Sequence, residues 1–135
     1  MDTPTLNVLV AVACNNQIAY LLKPKRFAVD YTMSSSDAKK MIQQKKYDFG
    51  IIELELGDGP KDNRYGTEVA EILRAANPDA HILGYCIIDD GTDGSCYQCS
   101  PIWKEFSAEK FNVQLTSVTT LIPTIDSILK NCEKN

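Results

Sequence analysis

Five short apolar runs recur along this chain, each followed by a segment with helical spacing, and that alternation restricts the fold more than any motif does. The runs cover 8–13, 27–32, 49–56, 81–88 and 112–118. The first, Val8-Leu9-Val10-Ala11-Val12-Ala13, is unbroken and rich in β-branched residues, as expected of a strand covered on both faces. Phe27-Ala28-Val29-Asp30-Tyr31-Thr32 alternates loosely and reads as a second strand.

The intervening segments carry helix signals. Asn15 and Asn16 open a helix over 17–23 that Pro24 closes, since its ring and missing N–H cannot continue it. Ser34, with Asp37 three residues on, has the form of a capping box with Asp in place of Glu. Ala38, Met41, Ile42 and Lys45 follow on one face, the Lys lending its aliphatic stem. Val69, Ile72, Leu73 and Ala76 mark another face, stopped by Asn77-Pro78-Asp79. A helix over 102–111 turns Ile102 and Phe106 inward. Thr120 caps the last helix, whose inner face is Leu121, Ile122, Ile125, Ile128, Leu129 and Cys132. Its Pro123 lies in the first turn, where no N–H is missed.

Strand and helix in strict alternation predict an α/β fold of three layers, a parallel sheet between helices, joined by right-handed crossovers. The chain has 135 residues, which suits a single domain over 1–135. No repeat, low-complexity tract or linker divides it.

Charge narrows the partners. Fourteen Lys and Arg against eighteen Asp and Glu leave a net charge of −4, which speaks against a nucleic-acid backbone as ligand. The one dense basic patch, Lys23-Pro24-Lys25-Arg26, reads as a solvated turn. The apolar run at 8–13 is far too short to cross a bilayer. It also lacks the basic flank of a secretory signal, so a cytoplasmic protein without membrane contact is expected. Five cysteines, an odd count, fit reduced thiols better than a disulfide framework.

The most specific stretch is Tyr47-Asp48-Phe49-Gly50-Ile51-Ile52-Glu53-Leu54-Glu55-Leu56, an apolar strand closed by a carboxylate and followed by a glycine-rich loop. Together with the five βα units, it resembles the receiver domain of two-component response regulators, over nearly the whole chain from Asn7 to about Asn131. That family runs Tyr-Asp, apolar residues, an acceptor Asp, two residues, Leu or Met, and Pro. Gly66-Thr67-Glu68-Val69 with Ile72-Leu73-Arg74 is similar to its third helix. The resemblance implies a flavodoxin-like, five-stranded parallel sheet in the order 2-1-3-4-5.

The resemblance also implies phosphoryl transfer to an aspartate. That chemistry uses a divalent cation held by an acidic pair after the first strand, a hydroxyl ending the fourth, and a Lys ending the fifth. Here the acidic pair falls at Val12, Ala13 and Cys14, and no carboxylate stands between Asp2 and Asp30. The acceptor position holds Glu53, the hydroxyl position Tyr85 or Cys86, and the Lys-Pro position Ser117-Val118. Asp48 cannot stand in as acceptor, being roughly 16 Å from Glu53 at the strand's other end at about 3.3 Å per residue. The chain thus resembles a pseudo-receiver. Two roles are open for Glu53: a mimic of the phosphorylated acceptor, with its charge one methylene further out, or a polar residue at a solvated strand end.

Other sharp readings have less behind them. Cys96-Tyr97-Gln98-Cys99 is a lone C-x-x-C. In the family's strand order, Cys14 and Cys86 close strands at the edge from which that loop emerges, so four thiols could converge on zinc or on redox chemistry. Small buried residues and incidental loop thiols are the plainer account. His81 starts the strand that Cys86 ends and cannot join them. Asp89-Asp90-Gly91-Thr92-Asp93-Gly94 fails as a calcium loop, with Gly91 at its third position and Ser100 at its twelfth. Tyr97 and Trp103 flank the segment that receivers use against partners, and aromatic residues are frequent anchors.

The expectation is a non-enzymatic signalling module without cofactor, a monomer or weak dimer acting through protein partners. The alternatives are an atypical receiver still phosphorylated in a phosphorelay, with Asp58 as acceptor, and a thiol-based metal or redox sensor.

Overall fold

The structure, a computed structural model, describes residues 5–13, 27–60, 63–86, 105, 113–117 and 120–133. Each apolar run contributes a strand: β1 Leu6–Ala11, β2 Phe27–Thr32, β3 Phe49–Glu53, β4 His81–Cys86 and β5 Val113–Ser117. Three helices are described: α1 Ser35–Gln44, α2 Tyr65–Ala76 and α3 Leu121–Glu133. The strands form one sheet in the order β2-β1-β3-β4-β5, and every neighbouring pair is parallel.

Side chains alternate across a strand, so the central strands feed two cores. Leu9, Ala11, Ile52 and Ile82 pack on one face with Ala38 and Ile42 of α1 and Val69, Ala70 and Leu73 of α2. Val8, Val10, Phe49, Ile51, Leu83 and Tyr85 pack on the other with Leu121 and Ile125 of α3. Burying each large apolar side chain stabilises the fold by about 1.5–3 kcal/mol, which is why the unbroken runs became the inner strands. The expected three-layer flavodoxin-like arrangement follows from this two-sided burial.

Local details depart from the sequence reading. β3 stops at Glu53, three residues before the expected end at Leu56. Its following backbone groups leave the ladder for the loop: Leu54 O accepts from Gly66 N at 2.8 Å, and Leu56 pairs through both N and O with the Asn63 amide. Leu54 and Leu56 remain buried all the same. Ala76, expected inward, is exposed at the end of α2, and Ala70 takes the inner position. Lys45 is the C-cap of α1, and its Nζ pairs with Asp30 at 3.0 Å. Ser34 caps α1 as predicted, its Oγ accepting from Asp37 N. The helices expected over 17–23 and 102–111 and the loop at 89–101 lie outside the described residues.

Candidate functional site

The carboxyl ends of parallel strands are where α/β sheets of this kind place ligands, and Glu53 closes the central strand β3 there. Its side chain does not face water. Glu53 is 6% exposed, and its Oε1 accepts a hydrogen bond from Ala13 N at 3.0 Å. Of the two roles open for Glu53, that of a polar residue at a solvated strand end does not fit this burial. β1 and β3 are paired through Ala11 and Ile52, so the chain just beyond β1 lies within reach of the longer glutamate.

Two neighbours fix this geometry. Gly66, in the first turn of α2, leaves no room for a Cβ: one would stand 2.1 Å from Glu53 O and 2.9 Å from Leu54 Cα. The helix start is thereby pressed against the strand end. On the β2 side, Tyr31 Oη donates to Val12 O at 2.9 Å and Val12 N donates to Thr32 O at 3.1 Å. The β1 terminus is held on both flanks.

Register decides which other positions join Glu53. Tyr85 stands opposite Glu53, and Thr116 stands opposite Tyr85, so Glu53, Tyr85 and Thr116 form one buried row across three strands. Of the two positions considered for the family's hydroxyl, Tyr85 therefore shares the row of Glu53. Cys86 is opposite Ser117, one step further along. Val12 is buried in the core, and Ala13 is half-buried. Cys14, Cys96, Cys99, Tyr97 and Trp103 lie outside the described residues. Among the described residues, no group of three or more His, Cys, Asp or Glu could hold a metal ion.

Asp58 is also occupied. Its Oδ1 accepts from Ser35 N and Ser35 Oγ, each at 2.9 Å. Its Oδ2 accepts from Ser36 N at 3.0 Å and Ser34 Oγ at 3.1 Å. The backbone N–H groups of Ser35 and Ser36, joined by the serine hydroxyls, hold the carboxyl well below the usual carboxylate range. Hydrogen bonds to the charged form and the positive end of α1 both act in that direction.

The opposite edge has its own polar contacts. Asp48 Oδ2 accepts from Asn7 N at 2.9 Å, and Asn77 Nδ2 donates to Tyr47 O at 2.8 Å. His81 begins β4 as expected, with its ring centroid 5.0 Å from that of Phe49; burial, then Arg74, push its pKa down. Tyr47 Oη and Lys45 Nζ both donate to Asp30 Oδ2, at 2.7 and 3.0 Å. Burial raises the Asp30 pKa, but these bonds outweigh it and the net direction is down.

Sequence reasoning missed Thr116, whose Oγ1 lies 3.1 Å from Thr120 Oγ1, and missed Asn63 and the serine cluster around Asp58. No periodic signal marks them. Each acts through a partner that a turn or a neighbouring strand supplies.

No protein-family model and no curated protein matches the chain. Its similarity is to solved structures. A CheY-like receiver domain from Methanospirillum hungatei aligns with a TM-score of 0.71 and 14% identity, covering 97% of this chain and 98% of that one. A structure described as a novel family of redox sensors in the streptococci, evolved from two-component response regulators, gives 0.69 and 18%, covering 95% and 52%. A Burkholderia pseudomallei response regulator with a phosphorylated aspartic acid, calcium ion and citrate gives 0.59 and 21%, covering 82% of this chain. This chain covers 59% of the Burkholderia chain. At such identities the likeness establishes the fold, which is that of response-regulator receiver domains.

Proposed function

We propose that this chain is a receiver-fold signalling module that is not switched by phosphoryl transfer and acts through protein partners. The observation that carries this reading is Glu53. Phosphoryl transfer needs a carboxylate oxygen aimed at the donor, with a metal and a cation to take the developing charge. Glu53 is instead buried and accepts from Ala13 N–H. The positions of the resembled acidic pair carry Val12, Ala13 and Cys14, and the position of the resembled lysine carries Ser117. Partner contact through the segment bearing Tyr97 and Trp103 rests on the family resemblance alone.

The test is intact mass after incubation with a small phosphodonor and Mg²⁺. The mass is expected to stay unchanged, in the wild type and in Glu53→Asp. A gain of one phosphoryl group by the wild type would sink the reading. Asp58 is a poor alternative acceptor, because both its oxygens are engaged by Ser34, Ser35 and Ser36.

The inward contact of Glu53 has a measurable consequence of its own. Glu53→Ala leaves Ala13 N–H without this acceptor and is expected to cost about 1–3 kcal/mol in urea unfolding. Glu53→Gln keeps an acceptor oxygen and should cost well under half of that. Equal losses in the two variants would show that the charge, and not the bond to Ala13, is what matters.

A second reading has support from the streptococcal redox sensors, which share the fold, and from the five cysteines. It makes Cys14, Cys86, Cys96 and Cys99 a thiol-based sensor. An absence of bound zinc in metal analysis, together with thiols that form no disulfide or sulfenic acid on mild peroxide treatment, would end it.

A further inference from the structure

We propose that residues 57–60, which follow β3, form a strap locked by Asp58 across the carboxyl edge of β1 and β2. Residues 57–60 are all exposed, so little buried apolar surface holds them in place. Specific ties do so instead. Asp58 accepts from two backbone N–H groups and two hydroxyls of Ser34–Ser36. Independently, Gly57 N donates to Met33 O at 2.8 Å. A Cβ on Gly57 would stand 3.9 Å from Ala13 Cβ and 3.4 Å from Met33 O. The strap therefore passes directly over Ala13, the residue whose N–H holds Glu53.

The lock uses a departure from the resembled pattern. Gly57 stands where that pattern has Pro, and a proline has no N–H to give to Met33 O. The Asp58 carboxylate is held well below its ordinary range. A depressed carboxylate contributes stability above its unfolded value of about 3.9 and loses it only as pH falls through the lower folded value. The lock thus stays shut throughout the neutral range.

Amide hydrogen exchange on the full chain tests it. In Asp58→Ala the amides of Ser35, Ser36 and Gly57 should exchange roughly tenfold faster or more, with those of Ile51 and Leu83 unchanged. Asp58→Asn, which keeps the shape but loses the charge and one acceptor oxygen, should accelerate the same three amides by less. Gly57→Ala, which keeps the N–H, should leave Ser35 and Ser36 as in the wild type. Unchanged exchange at Gly57 in Asp58→Ala would overturn the strap. So would uniform acceleration that includes Ile51 and Leu83, since Asp58 would then stabilise the whole domain and lock nothing locally.

Discussion

Replacing Gly66 with alanine is expected to lower the stability of this protein by about 2–3 kcal/mol. Inside a helix, alanine is ordinarily better than glycine by roughly 0.5–1 kcal/mol. Here the new Cβ would meet Glu53 O at 2.1 Å and both Glu53 C and Leu54 Cα at 2.9 Å. These are backbone atoms of a buried strand end and cannot rotate away, so the clash exceeds the gain in propensity. α2 has to shift outward, which also strains the bond from Gly66 N to Leu54 O. A fall in melting temperature of about 10 °C would accompany the loss. Gly50→Ala is the informative comparison. Its nearest obstacle is Leu73 Cδ2 at 2.3 Å, the end of a side chain, so repacking is open to it and a smaller loss is expected. Thermal melts of both variants decide the matter. A Gly66→Ala protein as stable as the wild type would mean that α2 is not seated on the end of β3.

Asn63→Ala should be comparably damaging, by about 2–4 kcal/mol. Asn63 is 8% exposed and Leu56 2% exposed. The amide closes the loop with Oδ1 accepting from Leu56 N at 3.0 Å and Tyr65 N at 3.2 Å, while Nδ2 donates to Leu56 O at 2.8 Å and Pro60 O at 2.7 Å. Alanine leaves both backbone groups of Leu56 buried without these partners, and each orphan costs about 1–3 kcal/mol. Asn63→Asp keeps the acceptor but turns a second oxygen toward two carbonyls, so it should not rescue. Urea denaturation of the two variants checks this. Full stability in Asn63→Asp would show that the donor half of the amide contributes nothing.

Both residues bear on how much of this protein could be read from its sequence. The strands and the inner faces of α1, α2 and α3 were legible because burial imposes a period. Val8 to Val12 alternate between two cores, and Val69 and Leu73 recur at helical spacing. Glu53 at a strand end was legible too, since a carboxylate closing an apolar run is a local pattern. The end of β3 was misplaced because Leu54 and Leu56 are as buried as strand residues while their backbones bond to α2 and Asn63. Apolar character reports burial and says nothing of which backbone pairs with which.

The sequence by itself determined the alternation of strand and helix, the two-sided burial of the inner strands, and which residue types stand at the carboxyl edge. Only the tertiary structure decided where the carboxylates at that edge point. Glu53 turns to Ala13 N, 40 residues away in sequence, and Asp58 turns to serines 22 to 24 residues away. Parallel pairing brings neighbouring strand ends to within about 4.8 Å, close enough for a side chain on one to bond the backbone of the next. No local spacing rule encodes that proximity, because it arises only when the sheet closes.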